Sequence, residues 1–482
     1  MKDLLADALA RLTRQDGVDY ADARFVQHES ETLHCKDRKL ESYARAQSQG
    51  HCFRVLYRGA WGFAARPDCA PADVEASARR AIEVGRASAA VNKTRVRLCD
   101  EEPQRGSYKT PMRIDPFEVA TERKVGDLLG PVADLAGRPH VRTVDGRLLF
   151  RRARTLLLTS EGTDVEQSVT YGSGGLKVIV ERDGEVQQRC HPMDHDGGVG
   201  QMGYELLETL DFAGQADRIH DEALGLLAAP PCPTGETTLI LDTAQLALQI
   251  HESCGHPTEG DRALGEELSL AGGSFLSPDQ RGKLQYGSTI VNLSADSLTP
   301  RALGTFGWDD EGVPARKTPL IVEGRFVGYL TSRETAAKLG LVRSAGACRA
   351  ESWARMPIVR MINVSLEPGS GSLDDLIADT DEGVLMGPNR SWSIDDLRLN
   401  FQFGCEIAWE IKGGKRGRIL RNPMYTGITP RFWGSCDRIA GPQEFRTWGF
   451  LNCGKGDPVQ SMHVGHGCAP ARFRGVSVGA AR

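Results

Sequence analysis

Apolar and polar residues alternate through much of the first half of the chain, which predicts β-strands there. The alternating stretches are 22–28, 30–36, 141–149, 155–159, 164–171 and 176–182. Apolar residues recur with the period of an α-helix at 1–15, 71–87, 116–136 and 203–228, the last with a break near 211–214. Arg58-Gly59 and Asp183-Gly184 follow apolar strands, a pattern typical of tight turns. The first half is therefore predicted to consist of antiparallel strands with several helices.

A proline-rich segment, Pro230-Pro231-Cys232-Pro233-Thr234-Gly235, separates this half from a second one with a different pattern. The second half opens with a strand at 237–241 and a helix, and continues with short strands and frequent glycine. Strands and helices that do not alternate strictly favour the α+β class with antiparallel sheets. We therefore predict two α+β domains, residues 1–229 and 236–482, each with a curved, mostly antiparallel sheet and packed helices.

The helix that opens the second half ends in Ile250-His251-Glu252-Ser253-Cys254-Gly255-His256, where the candidate chemistry lies. Asp242 or Thr243 can cap its first turn with a side-chain oxygen. Imidazole nitrogen binds Zn(II) and other divalent transition metals, and an adjacent carboxylate can take a proton from a water activated by the metal. His251, Glu252 and His256 are therefore candidates for a metal site with its own general base.

The spacing of the two histidines decides whether they can share one metal. His251 and His256 are five residues apart, whereas the common zinc-protease motif His-Glu-x-x-His separates its histidines by four. On an ideal helix five residues correspond to about 140° of rotation, which would direct the imidazoles apart. A π-bulge, or a helix end loosened at Gly255 and stopped by Pro257, would bring them together. From spacing alone, two unrelated surface histidines remain the alternative.

Charge and composition narrow the classes of function. The chain has 482 residues with 59 basic and 64 acidic side chains, a net charge of −5 that offers no general attraction to nucleic acid or anionic membranes. No apolar run approaches the roughly 20 residues of a membrane span. The twelve cysteines include no Cys-x-x-Cys pair, which is typical of thiols in a reducing cytoplasm. The acidic run Asp309-Asp310-Glu311 is expected to be a solvated turn.

A catalytic metal usually has three protein ligands, so a third remains to be found. A carboxylate, another histidine or a cysteine thiolate could supply it. Cys453 lies close to Lys455 in a glycine-containing segment, 451–460, which is expected to be a loop. A neighbouring ammonium can lower a thiol pKa and favour the thiolate. The alternative is that Cys453 is one more idle thiol.

Several segments together resemble the TldD/PmbA (TldD/TldE) family of metalloproteases, over nearly the whole chain. His251 to His256, followed by Glu259-Gly260-Asp261, looks like the His-Glu-x-x-x-His helix of that family with its downstream acidic motif. Cys453-Gly454-Lys455 resembles its C-terminal cysteine segment. Residues 59–64, 114–119 and 421–427 resemble further elements of the family. Each segment alone is unspecific, whereas the combination is specific.

The resemblance implies a role for each candidate. His251, His256 and Cys453 would be metal ligands, and Glu252 would be the general base. The TldD-type subunit of the family keeps this set and the TldE-type subunit lacks it, so the chain resembles a metal-bearing TldD-type subunit. Zn(II) is the expected metal, with Fe(II) or Mn(II) as alternatives. The implied reaction is hydrolysis of peptide bonds in unfolded or extended peptides.

The resemblance also implies a dimer that encloses a chamber, either a homodimer or a heterodimer with a TldE/PmbA-type subunit. The substrate would bind by strand addition, for which 400–406 is a candidate strand. Tyr425, His463 and His466 are candidates to stabilise the oxyanion. For the two histidines the alternative is a place in a solvated C-terminal loop. A non-catalytic regulatory subunit and a metal-dependent amide hydrolase of a biosynthetic pathway are the alternative functions.

Overall fold

The first half of the chain forms one eight-stranded sheet. The structure is a computed structural model that describes residues 1–194, 197–270 and 272–481. Its strands are β1 (Val18–Lys36), β2 (Lys39–Tyr57), β3 (Ala60–Arg66), β4 (Arg105–Lys109), β5 (Val141–Thr159), β6 (Asp164–Arg182), β7 (Glu185–His191) and β8 (Gly198–Gly200). Its helices are α1 (Lys2–Thr13), α2 (Pro71–Val91), α3 (Thr121–Leu135), α4 (Leu206–Leu210) and α5 (Phe212–Ala228). The strand order is β3-β2-β1-β5-β6-β4, with β7 and β8 also paired to β6. Apolar side chains of one sheet face pack against α1, α2, α3 and α5.

The predicted two-residue turns have the backbone that their sequences require. Arg58 and Gly59 have φ values of 47° and 77°, and Asp183 and Gly184 have 54° and 83°. Positive φ at both central positions matches the right-handed twist of the flanking strands. Asp211, also at positive φ, separates α4 from α5 at the predicted break.

Two predicted boundaries in this half are wrong. β1 is a single strand of 19 residues, because its middle pairs with β2 on one side and β5 on the other even where its own alternation lapses. The helix predicted over 116–136 is divided into a 3₁₀ turn at Pro116–Glu118 and α3. Asp115 caps the turn through the backbone N–H of Phe117, and extended backbone at Val119 then interrupts it.

The second half contains a nine-stranded sheet and several smaller ones. Its strands are β9 (Gly235–Leu241), β10 (Leu293–Asp296), β11 (Lys317–Val322), β12 (Arg325–Phe326), β13 (Cys348–Arg349), β14 (Ile358–Val359), β15 (Val364–Leu366), β16 (Glu382–Met386), β17 (Asn389–Ile394), β18 (Asn400–Cys405), β19 (Ala408–Lys412), β20 (Lys415–Leu420), β21 (Pro423–Ile428), β22 (Cys436–Ile439), β23 (Arg446–Lys455), β24 (Gln460–Cys468) and β25 (Ala471–Ala480). The large sheet has the order β17-β18-β21-β25-β9-β16-β19-β20, with β22 paired to β25. β23 and β24 form a separate hairpin.

The helices of the second half are short, and one of them is central. They are α6 (Thr243–Ile250), α7 (Gly260–Ala263), α8 (Arg333–Lys338), α9 (Leu373–Ala378) and α10 (Thr429–Gly434). From Ala244 to Ile250 every residue of α6 is buried, and the helix contacts β15, β17 and the hairpin β23–β24. The predicted α+β class with mostly antiparallel sheets is confirmed. The division into domains at 230–235 stays a prediction, although the sheets of the two halves share no described strand. No helix in the described part of the chain is long and apolar enough to cross a membrane.

The acidic run at 309–311 is not the solvated turn that its composition suggested. Asp309 and Glu311 are buried. Asp309 accepts hydrogen bonds from the backbone N–H groups of Val313 and Cys348, at 3.0 Å each. Glu311 faces Arg54 of β2 and accepts from the backbone N–H of Arg333 at 2.7 Å. The prediction was wrong because these partners come from distant parts of the chain.

Candidate metal centre

The helix α6 continues into a π-helical turn at His251–Gly255 and a 3₁₀ turn at His256–Thr258. Asp242 caps the start of α6 through the backbone N–H of Gln245, at 2.8 Å. The backbone N–H of His256 donates to the carbonyl oxygen of His251, five residues back, so residues five apart lie above one another. The centroids of the two imidazole rings are accordingly 4.8 Å apart. The helix is thus distorted at the place where the five-residue spacing of His251 and His256 requires a distortion for the two rings to meet.

The third candidate ligand reaches these histidines from the hairpin β23–β24. Cys453 lies on β23, not in a loop, and its Sγ is 3.8 Å from Nε2 of His256. One ligand atom from each of His251, His256 and Cys453 lies within 4.8 Å of the other two, and all three residues are buried. Two nitrogens and a sulfur around a tetrahedral zinc ion would be separated by about 3.5 Å. The donor set therefore fits a transition metal with small adjustments of the side chains.

Hydrogen bonds determine which nitrogen of His251 can face a metal. Nδ1 of His466 lies 3.0 Å from the carbonyl oxygen of Val364, which can only accept, so Nδ1 of His466 carries the proton. Nε2 of His466 is then an acceptor, 2.8 Å from Nδ1 of His251. His251 therefore donates from Nδ1 and keeps Nε2 as a lone-pair nitrogen. Such a second hydrogen bond is typical of histidines that bind metals.

His256 is oriented by a buried network of charges. Its Nδ1 is 2.9 Å from Oε2 of Glu259, which also accepts from Nε of Arg262 at 2.6 Å. Lys455 Nζ lies 3.3 Å from Oε1 of Glu259 and 2.7 Å from Oδ1 of Asp261. Burial opposes ionisation of Glu259, but Lys455 and Arg262 hold the pKa of that carboxyl well below its usual range. The acidic motif Glu259-Gly260-Asp261 thus helps to hold the ring of His256 in place.

The protonation states of the three candidate ligands follow from burial. Burial lowers the pKa of His251 and of His256 well below the ordinary value, so both rings are neutral and able to bind a metal. Burial raises the pKa of the Cys453 thiol, contrary to the expectation that Lys455 would lower it, because the ammonium is paired with carboxylates instead. A bound cation would reverse this shift, since a coordinating thiol is deprotonated.

Glu252 has two partners that sequence reasoning missed. Nη1 of Arg398 donates to its Oε2 at 3.0 Å, and the side chain of Trp392 also hydrogen-bonds to it. Burial raises the pKa of Glu252, while the Arg398 guanidinium opposes this rise. Trp392 lies on β17, and Arg398 lies in the turn to β18 with a φ of 66°, a backbone unusual for a residue other than glycine. No spacing in the sequence links this turn to α6.

The three candidates for the oxyanion are engaged elsewhere. Tyr425 donates to Oε1 of Gln249 at 2.9 Å and accepts from Nε2 of Gln245 at 2.8 Å. His466 orients His251. Both His466 and His463 lie on β24 rather than in the expected loop, and His463 accepts from Nη2 of Arg349 at 3.0 Å.

The strand proposed for substrate addition is not available to a peptide. β18 is paired with β17 on one side and with β21 on the other, so its backbone groups are already used. Its neighbour β17 is at the end of the sheet order, and it carries Trp392 beside Glu252. The sheet edge that lies near the candidate centre is therefore β17.

Three sequence models of one family match the chain. Domain 1 of the PmbA/TldA metallopeptidases matches residues 21–85, the central domain matches 114–227, and the C-terminal domain matches 234–480. The match to the C-terminal domain alone covers more than half of the chain and includes every candidate ligand.

Individual relatives agree with this assignment. A metalloprotease of Methanocaldococcus jannaschii is 28% identical over 449 residues, which are 93% of this chain and 94% of that protein. A protein of Saccharolobus solfataricus named a zinc metalloprotease TldD homolog is 22% identical over 86% of this chain and 87% of its own. The crystal structure of TldE from Thermococcus kodakarensis has the same fold, with a TM-score of 0.75, 17% identity and 99% of both chains covered. The chain therefore belongs to the PmbA/TldD family of metallopeptidases.

Proposed function

We propose that the chain hydrolyses peptide bonds with a metal ion held by Nε2 of His251, Nε2 of His256 and Sγ of Cys453. The observation that supports this most directly is the meeting of three buried donor atoms within 4.8 Å of one another. A metal bound there would act as a Lewis acid on the scissile carbonyl and would lower the pKa of a water molecule. Zn(II) suits a His/His/Cys set, and the name of the Saccharolobus relative agrees with zinc; Fe(II) and Mn(II) are the alternatives.

Glu252 would move the proton in this reaction. It follows His251 directly in the sequence, it is buried, and its charge acts on the thiol of Cys453. Ionised, it accepts a proton from the attacking water and then delivers that proton to the leaving amine. The Arg398 guanidinium, 3.0 Å from Oε2, favours the ionised form that the first of these steps needs.

Arg398 is also placed to stabilise the oxyanion that forms during hydrolysis. It lies beside the proton-transferring carboxylate, and its side chain is 17% exposed. A fixed cation here would stabilise negative charge as it develops on the carbonyl oxygen. We therefore assign to Arg398 the role for which Tyr425, His463 and His466 were the first candidates.

The substrate would be an extended peptide that adds to the edge of β17. This strand is paired on one side only, and four of its six residues are exposed. Main-chain hydrogen bonds to an edge strand bind peptides with little regard to side chains. A peptide in this position would pass Trp392 and reach Glu252.

Assembly and compartment belong to the proposal as well. The likeness to TldE shows the fold and leaves open whether the chain forms a homodimer or pairs with a TldE/PmbA-type subunit. The twelve cysteines, all in the described part of the chain, are free thiols. Free thiols agree with a reducing cytoplasm. We propose a cytoplasmic dimer.

Metal content and peptide cleavage, measured together, test the proposal. Wild type should bind about one metal ion per chain and cleave casein and short unfolded peptides. His251→Ala and Cys453→Ala should lose both properties, and Glu252→Gln should keep the metal and lose cleavage. Cys436→Ala, which removes a buried thiol outside the site, is the matched control and should keep both.

Three results would contradict different parts of the proposal. Full metal content and cleavage in Cys453→Ala would show that another residue is the third ligand. A wild-type chain that binds no metal and cleaves nothing would favour the regulatory subunit instead. A chain that binds metal and cleaves other amides but no peptide would favour the biosynthetic amide hydrolase.

A further inference from the structure

A cavity of about 370 Å³ lies between the eight-stranded sheet and the second half of the chain. We call it the central cavity. On the sheet side it is lined by His28 of β1, Arg151 of β5 and Tyr171 of β6, which belong to the face opposite the helices. On the other side it is lined by Arg349 and His463. Its size is that of a site for a small ligand or for the end of a peptide.

β24 separates this cavity from the candidate metal centre. Residues of a strand point alternately to opposite sides, and His463 and His466 are three positions apart. His466 contacts His251, whereas His463 lines the central cavity. The cavity is therefore distinct from the metal centre but shares a strand with it.

Some of the charges around the cavity neutralise one another. Arg24 pairs with Asp310 at 3.2 Å, and Arg152 pairs with Asp115 at 2.6 Å. Arg349 and Arg151 have no carboxylate partner among residues 1–194, 197–270 and 272–481. Two cations thus face this space without a counter-charge in direct contact.

Arg349 is the more informative of these two cations because it is buried. Nη1 donates to the carbonyl oxygens of Met361 and His463, at 2.9 and 2.8 Å, and Nη2 donates to Nε2 of His463 at 3.0 Å. A guanidinium has five N–H groups, so Nε–H and the second N–H of Nη2 have no acceptor within the described protein. Only 6% of Arg349 is exposed, and the guanidinium has hydrogen bonds but no carboxylate of the described residues in direct contact. An anion in the cavity would supply that counter-charge.

The surroundings favour one kind of anion. A planar guanidinium matches the two oxygens of a carboxylate. The ring of His463 is held by Tyr171, with 4.5 Å between the centroids, so the wall beside Arg349 is fixed. Asp310 and Glu351 also line the cavity and repel anions, a dianion such as phosphate more strongly than a single carboxylate. A single carboxylate is the anion that these groups accommodate best.

We propose that the central cavity binds a carboxylate of an extended peptide, with Arg349 as the anchor and Arg151 at the rim. The peptide rests on the proposed function, whereas the carboxylate rests on the cavity alone. The carboxylate can be the C-terminus of the peptide or an acidic side chain. Binding there would hold a substrate at a point remote from the scissile bond, and such remote binding energy can be used in catalysis.

The test measures binding by the Glu252→Gln holoenzyme, with the metal blocked by acetohydroxamate so that carboxylates cannot bind it. Isothermal titration would compare acetyl-Ala-Ala-Ala with its C-terminal amide. We expect the free carboxylate to bind about tenfold to a hundredfold more tightly, the usual range for charged hydrogen bonds. Binding of acetyl-Ala-Asp-Ala amide is measured as well, because this peptide has an acidic side chain but no C-terminal carboxylate. It therefore distinguishes the two possible sources of the carboxylate.

Substitutions of residues that line the cavity test whether these residues cause the preference for the carboxylate. Arg349→Gln and Arg151→Gln should each reduce the preference for the carboxylate. Arg147→Gln, an exposed arginine on β5 outside the cavity, is the matched control and should leave it unchanged. Arg151 is exposed, so its variant carries the test if Arg349→Gln does not fold.

Equal binding of carboxylate and amide by the parent protein would overturn the proposal. An unchanged preference in both cavity variants, or stronger competition by inorganic phosphate than by the peptide carboxylate, would do the same. Failure of the proposed function would show differently, as a wild-type chain that binds the carboxylate peptide and does not cleave it.

Discussion

A Cβ atom at Gly255 would lie 2.1 Å from Sδ of Met361. Gly255 has a φ of −64°, which every residue adopts readily, so the glycine is required by the space and not by its own backbone angle. Met361 is fully buried in the core around α6 and cannot move into solvent. The π turn that aligns His251 with His256 thus depends on the absence of a side chain at Gly255, because Met361 occupies that space.

Gly255→Ala should therefore displace the π turn and weaken the site. We expect a loss of about 1–3 kcal/mol in the free energy of unfolding, typical of overpacking, together with reduced metal content. Chemical denaturation and metal analysis would measure both. Gly126→Ala in α3, where a Cβ has no atom within 4 Å, is the matched control and should not destabilise the chain. A double-mutant cycle with Met361→Ala should show that the two positions are coupled, and additive effects would contradict this explanation.

His466 should control metal affinity without being a ligand. His466→Ala removes the acceptor for Nδ1–H of His251, so the ring of His251 loses its orientation. Removing such a partner typically lowers metal affinity 10- to 100-fold. Competition with a chelator would measure the change. His463→Ala, on the same strand but facing the central cavity, should retain the metal. Equal losses in both variants would point to a general disturbance of β24.

Arg398 should affect the rate of cleavage more than the metal. Arg398→Gly suits the positive φ at this position, and we expect kcat to fall on the order of 10²-fold with metal content unchanged. Added guanidinium ion should restore part of the activity, because it can occupy the vacated space. Arg418→Ala, an exposed arginine on β20, should leave kcat unchanged. Loss of metal in step with activity, and no rescue by guanidinium, would indicate a structural role.

The cap of α6 should make stability depend on pH. Burial raises the pKa of the Asp242 carboxyl to about 6, whereas an unfolded aspartate has a pKa of ~3.9. Between these values the folded chain holds a proton that the unfolded chain has lost. The contribution of this group to the free energy of unfolding therefore falls as the pH rises from about 4 to about 6. Asp242→Asn keeps the oxygen that accepts from Gln245 and cannot ionise.

Denaturation at a series of pH values would test this. The difference in stability between Asp242→Asn and wild type should grow in favour of the variant as the pH rises through this window. Parallel curves for the two proteins would show that Asp242 titrates normally in the folded chain.

Local signals in the sequence account for the predictions that were confirmed. The α+β class follows from strands and helices that do not alternate strictly along the chain. The hairpin turns follow from their turn residues, and the start of α6 follows from a capping aspartate. Each of these signals acts within a few residues, so it is visible in one segment of the chain. The sequence also shows that His251 and His256 need a distorted helix if they are to meet, because the rotation per residue is a fixed property of the backbone.

Tertiary packing decided what depends on residues distant in the sequence. The chain alone could not show that Arg398 reaches Glu252, that Glu259 and His466 orient the two histidines, or that the Lys455 ammonium is paired with carboxylates. It suggested a loop at Cys453 and a solvated turn at Asp309, where the structure has a strand and a buried carboxylate. A side chain does not encode its distant partners, and its charge, pKa and exposure are set by them. The sequence by itself therefore determined most elements of the first half and the candidate ligands, while the packing of β17, β23 and β24 around α6 determined what surrounds those ligands.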